Sequence, residues 1–216
     1  MINGASQLNL PQKLIRFSKD PCIEKTESLS HWYWLLKTQL YYKRYFRNIG
    51  RHSRIISPLR LKNVEHVSIG DDVMINKFCW LQTQQEAKAL PELTIGSGCV
   101  IGNFNHITCV GRVQIEEKVL TADRVFISDH GHEFSDPLVP IIDQGVLVGN
   151  PVVIGRGTWL GENVAVISSK IGRNCVIGAN SVVLSDIPDF SVAVGTPARV
   201  VRRFNPTTRS WERGPF

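Results

Sequence analysis

The sequence predicts an all-β fold, a parallel β-solenoid, on three observations. Aliphatic residues recur every six positions through much of Ile69 to Val183, a Gly commonly follows them, and a small residue holds the fifth position, as at Thr158, Val164, Cys175 and Ser181. Successive residues of a strand face opposite sides, so the fifth residue of one hexad and the first of the next both point inward. Thr158 and Leu160 are therefore expected inside the solenoid and Trp159 outside. No helix has this period, and repetition at this spacing means coils that bury one another's faces.

The pattern is clearest in IGRGTW, LGENVA, VISSK, IGRNCV and IGANSV, with VISSK one residue short. The hexads begin at IGRHSR from Ile49, are irregular through Leu61 to His66, and resume in IGDDVM and INKFCW. Two stretches break the period: the polar insertion TQQEAKALPE near 83–92, and a longer excursion over 128–152 that carries Pro137, Pro140 and Pro151. Loops thrown out of a solenoid tend to border its binding site. The chain thus divides into a partly helical, basic and aromatic segment at 1–48, a solenoid at 49–187, and a C-terminal extension at 188–216 whose last twelve residues read as a loose basic tail.

In the first segment, Ser28 or Ser30 is placed to cap a helix running to about Gly50, with Trp32, Leu35, Leu36, Tyr42 and Phe46 along one stripe. From Ser28 to Val64 there are eight Lys or Arg and no acidic residue. One reading packs this stripe against the solenoid and leaves the bases solvated. The other lays the helix on an anionic membrane surface or glycan. Nucleic acid is not expected, because no base-reading motif accompanies the charge.

Composition excludes other classes. With 43% hydrophobic and 20% charged residues the chain is ordinary for a globular protein, and its apolar residues never gather into a membrane-spanning run. No signal peptide is expected at the N-terminus, which points to the cytoplasm, and the basic, aromatic first segment adds the inner face of the membrane as a place within it. Cys79, Cys99 and Cys175 fall at inward hexad positions and read as core filler rather than a disulfide framework, leaving Cys22 and Cys109 unexplained. In DHGHEFSD, His130 and His132 lie among Asp129 and Asp136, all of them metal-ligand types. Without a distant partner this is a poor zinc pattern, and no metal is expected. An imidazole beside carboxylates that orient it, leaving a rigid strand end, suits proton transfer better.

These hexads, the DHGHEFSDP loop, IGRGTWLG and the closing GTPARVVRR together resemble the hexapeptide acyltransferases, over about two-thirds of the chain. Within them the likeness is greatest to galactoside, maltose and nodulation acetyltransferases and to capsule or lipopolysaccharide sugar O-acetyltransferases. The resemblance implies a left-handed parallel β-helix, a homotrimer with active sites between subunits, and acetyl-coenzyme A as cosubstrate with a sugar or polysaccharide as acceptor. Residue by residue, His132 matches the catalytic base. Asn103 matches a sugar-contacting Asn, Trp159 an aromatic bordering the acceptor and cofactor sites, and Ala179, Arg199 and Arg202 the coenzyme A channel. His130 does not fall on the base position and is assigned to the acceptor. Ser185 stands where the family has a Lys, and Glu162 replaces a small residue. The expected activity is O-acetyl transfer to a sugar hydroxyl in capsule, lipopolysaccharide or exopolysaccharide assembly. The alternatives are N-acylation of an amino sugar nucleotide and a non-catalytic binding trimer. The last, if carbonic-anhydrase-like, would want separated zinc-binding His residues that the sequence lacks.

Overall fold

Residues one coil apart stack in register, so an inward aliphatic meets its own kind above and below. In the computed structural model, which describes residues 22–86 and 90–214, Ile49, Ile69, Ile95, Ile115, Ile154 and Ile171 form one such ladder. Ile55, Ile75 and Ile101 begin a second, continued by Thr121, Leu160, Ile177 and Ala193. Leu61, Leu81, Ile107, Ile127, Val166 and Val183 form the third. Apart from Leu61, these side chains are buried. Burial of each large aliphatic contributes about 1.5–3 kcal/mol, and the sum along three ladders is what a coil cannot obtain alone.

Each ladder lines one parallel sheet, and the sheets are the three faces of the solenoid. Sheet A runs from Asn48–Ile49 to Lys170–Ile171 and sheet C from Arg60–Lys62 to Val182–Val183. Sheet B starts at Arg54–Ile55 and continues past Val176–Ile177 into Ser191–Gly195, Ala198–Asn205 and Ser210–Arg213. The corners explain the hexad glycines. A Cβ on Gly155 would lie 2.5 Å from the backbone N of Arg173, and one on Gly157, at φ +73°, would lie 2.3 Å from Asn174 Oδ1. Elsewhere the left-handed corner position is held by other residues, among them Asn163, Asn174 and Asn180, which tolerate it best after Gly, and also Phe78, Phe104 and Lys118. As expected, Thr158 and Leu160 are buried and Trp159 faces out, and Cys79, Cys99 and Cys175 are buried.

Two expectations are corrected. Helix α1 spans Cys22–Leu40 and stops ten residues short of Gly50. A 3-10 turn at Tyr42–Arg44 intervenes, Phe46 is buried, and Asn48–Ile49 is taken by the first coil through pairing with Ser68 and Ile69. Solenoid pairing, a tertiary effect, overrides helix propensity there. The C-terminal segment is no loose tail up to Gly214. Ala198–Asn205 and Ser210–Arg213 form an antiparallel hairpin on the edge of sheet B, with Phe204 between Phe190 and Trp211 at centroid distances of 6.5 and 5.6 Å. The residues 1–21 of the first segment and 87–89 of the polar insertion lie outside the described residues.

Helix α1 is tied to the first coil by polar side chains. Thr38 Oγ1 accepts the Ile55 N–H at 2.9 Å, and Gln39 Nε2 donates to the carbonyls of Gly50 and Ser53 at 2.9 and 3.0 Å.

Candidate active site

The long excursion is a hairpin that leaves the end of sheet C. Phe126–Ser128 completes a coil, then His130–His132 pairs antiparallel with Val146–Val148, and Val152–Ile154 re-enters sheet A. In this register His130 opposes Val148 and His132 opposes Val146. The two imidazoles are two residues apart in one strand and so project from the same face of the hairpin.

The root of the hairpin is fixed by Asp129. Its carboxylate is 1% exposed and accepts the backbone N–H groups of Val110 and Gly111, at 2.9 and 2.7 Å, and His130 Nδ1 at 2.9 Å. Burial pushes this carboxyl upward, but the His130 contact and the two backbone donors outweigh it and hold it below the usual carboxylate range. Asp129 also takes the Gly149 N–H on its own carbonyl at 2.8 Å, closing the neck where the chain returns. Ser128 Oγ donates to the His130 carbonyl at 2.7 Å. Further out, Gln144 stitches the Pro-bearing tip, donating to Asp136 and Val139 carbonyls at 2.8 and 2.7 Å.

His130 is thus oriented, with Nδ1 on Asp129 and Nε2 left to accept a proton. His132 is exposed and has no side-chain hydrogen bond to a described residue. His106 is half-buried. It stacks on Trp80 at 4.3 Å and against Phe126 at 5.3 Å, and its Nε2 is buried without a partner among the described residues. Burial, and after it the neighbouring His130, lower its pKa. Sequence reasoning had no access to this stack, because its partners lie 26 residues before and 20 residues after His106 and only the coil register aligns them.

The other sequence-derived residues fall elsewhere. Asn103 lies at the corner between sheets B and C. Its amide nitrogen donates to both Asp123 carboxylate oxygens at 3.1 Å and its carbonyl accepts the Lys77 N–H at 3.2 Å, so the side chain is engaged in corner geometry. Ala179 is exposed at the same edge three coils on, where a Cβ on Gly161 would lie 2.7 Å from its backbone N. Trp159 stands half-exposed on sheet B between Leu120 and Val176, and that row continues through Val192 to Arg202. Arg199 and Arg202 are exposed on Ala198–Asn205, and Arg199 Nη1 donates to the Ala198 carbonyl at 2.9 Å. The structure therefore gathers Trp159, Ala179, Arg199 and Arg202 along sheet B. It separates them from the His130–His132 hairpin by the width of sheet C, on the order of 10 Å for a strand of three or four residues. Glu162 is occupied by an ion pair with Arg124. No cluster of three or more metal-ligand side chains occurs among the described residues.

Residues 151–185, the coils that follow this hairpin, match the hexapeptide repeat of succinyl-transferase. The chain is a left-handed hexapeptide-repeat β-helix. This hexapeptide-repeat chain is 40% identical over 106 residues to galactoside O-acetyltransferase of Escherichia coli, which is 48% of this chain and 50% of that protein. It is 41% identical over 120 residues to an Escherichia coli protein provisionally named a lipopolysaccharide biosynthesis O-acetyl transferase, covering 52% of this chain and 61% of the relative. It thus spans about half to three-fifths of the length of these relatives. In fold it is similar to an N-acyltransferase from Bacillus cereus solved with dTDP and 3-hydroxybutyryl-CoA, at TM-score 0.66 and 21% identity over 79% of this chain and 90% of that one.

Proposed function

We propose that this chain is an acetyl-coenzyme A-dependent O-acetyltransferase acting on a sugar hydroxyl, in the assembly of capsule, lipopolysaccharide or exopolysaccharide. The observation that carries the reading is the hairpin whose two imidazoles share one face and whose root Asp129 locks. A sugar hydroxyl is a poor nucleophile at neutral pH, and attack on a thioester needs a base within hydrogen-bond reach. His132 takes the hydroxyl proton as the oxygen attacks the thioester carbonyl carbon. The carbon–sulfur bond then breaks, the acetyl ester forms, and the imidazolium returns the proton to the leaving thiolate. His130, fixed by Asp129, holds the strand that presents His132 and meets the acceptor.

Acetyl-coenzyme A lies along sheet B, with Trp159 and Ala179 against its thioester arm and Arg199 and Arg202 meeting its phosphates. Within one chain that face is a sheet away from the imidazoles, so the complete site takes its hairpin from one copy and its sheet B from the next. The proposed assembly is a homotrimer, and the proposed location is the cytoplasm. The relatives named for galactoside and lipopolysaccharide O-acetylation support a sugar acceptor. No helix among the described residues is long and apolar enough to cross a membrane.

The test is thiol release from acetyl-coenzyme A against sugars, amino sugars and purified polysaccharides, with wild type beside His132→Ala. Acceptor-dependent release that the variant abolishes supports the reading; release only with amino sugars moves it to N-acylation. No release with any acceptor, and no coenzyme A binding, overturns it.

A further inference from the structure

Helix α1 is inside out. At about 100° per residue, Leu29, Trp32, Tyr33, Leu36 and Leu40 fall within one stripe about a third of the helix circumference wide. Thr38 lies opposite that stripe and is fully buried, the one such side chain among the described residues of the helix, and it is bonded to Ile55. The solenoid therefore receives a polar residue with Trp34 and Leu35 beside it, while the five large apolar side chains point away, each 47–64% exposed. Tyr41 and Tyr45, in contact at 5.3 Å and half-exposed, extend the patch beyond the helix. An exposed apolar stripe of this kind marks an interaction surface.

Charge selects the partner. Lys43, Arg44 and Arg47 are exposed within and beside the Tyr41–Tyr45 end of the patch and form no ion pair with a described residue. Lys37 sits over the rings of Tyr33, Trp34 and Tyr42 at 5.7, 4.8 and 5.5 Å, its charge held at the edge of the stripe. No acidic residue occurs between Ser28 and Val64. A second copy docking through this same face would bring the same positive charge and be repelled. An anionic lipid surface accepts both features, since Trp and Tyr favour the headgroup boundary, Leu enters the acyl layer, and Lys and Arg meet the phosphates.

We propose that the outer face of α1, with the Tyr41–Arg47 turn, docks this chain on an anionic membrane surface, lying in the interface rather than crossing it. This is independent of the acyl-transfer reading, because its readout is lipid binding. The experiment is co-sedimentation of the full chain with phosphatidylcholine vesicles, with and without phosphatidylglycerol. It uses wild type, the pair Trp32→Ser and Leu36→Ser, and the triple Lys43→Gln, Arg44→Gln and Arg47→Gln. The expected result is binding that requires phosphatidylglycerol, falls with salt, and drops by about tenfold or more in each variant, with thermal midpoint and acetyl-coenzyme A turnover kept. Equal binding to both vesicles, or none, overturns the proposal. So does binding that the charge triple abolishes and the apolar pair leaves intact, which would mark a soluble polyanion site. A smaller oligomer in the apolar pair also overturns it, since the stripe would then lie between copies.

Discussion

The Asp129 carboxylate lies 2.9 Å from His130 Nδ1 while also accepting two backbone N–H groups from the coil below. One buried acid therefore joins the hairpin to the solenoid. Asp129→Asn presents an amide N–H where at least one donor now points, leaving a buried donor unpaired at a cost of about 1–3 kcal/mol. Because its folded pKa is depressed, the stabilisation from Asp129 is full above the ordinary carboxylate value of 3.8 and is lost as pH falls through the folded pKa. Denaturant midpoints should thus separate wild type from Asp129→Asn at neutral pH and converge in acid.

His132→Ala is expected to lower kcat by roughly 10²–10⁴-fold with the unfolding midpoint unchanged, as for loss of a general base. His130→Ala, by contrast, should lower both turnover and stability, since it also removes a partner of Asp129. Steady-state kinetics beside thermal melts distinguish the two, and a His132→Ala enzyme within a few-fold of wild type removes that residue from the mechanism.

His106 gives an acid-sensitive step of its own. Its pKa is lowered by burial and by His130, so the stability that rests on neutral His106 is present above the ordinary value of 6.5 and is lost as pH falls below it. Thermal midpoints recorded against pH should decline below that value. His106→Phe, which keeps the stack between Trp80 and Phe126, should abolish that decline.

Arg199→Ala and Arg202→Ala each remove a cation from the face assigned to coenzyme A phosphates. Charge-assisted hydrogen bonds of about 1.5–3 kcal/mol predict a KM for acetyl-coenzyme A raised roughly tenfold or more, with kcat little changed. An unchanged KM in both variants would place the cofactor elsewhere.

In the core, Ile115→Ala at the middle of the sheet A ladder should cost about 2–5 kcal/mol, against about 0.5–1.5 kcal/mol for Ile115→Val. Chemical denaturation at neutral pH measures both.

Much of this was legible in the residues. Period six placed Ile69, Ile95 and Leu160 inside and Trp159 outside, because a solenoid's contacts repeat at fixed sequence spacing and each hexad carries its own local instruction. The imidazole beside a carboxylate could be read from DHGH, since its two partners are adjacent in sequence. The end of α1 could not, because Asn48 and Ile49 are drawn out of helical pattern by Ser68 and Ile69, twenty residues on. Nor could the C-terminal hairpin, whose strands have weak pattern and gain order from the edge of sheet B.

The sequence by itself determined the repeat, the inward hexad positions and the excursion that carries the imidazoles, all set by local periodicity. Only the tertiary structure decided which groups meet. Asp129 reaches across a coil to Val110 and Gly111, and His106 is stacked by neighbours from the coils on either side. Thr38 rather than Leu36 turns inward, because the first coil offers the Ile55 N–H as a donor that a buried partner must satisfy. Such pairings depend on register between coils, and register is a property of the stack rather than of any single hexad.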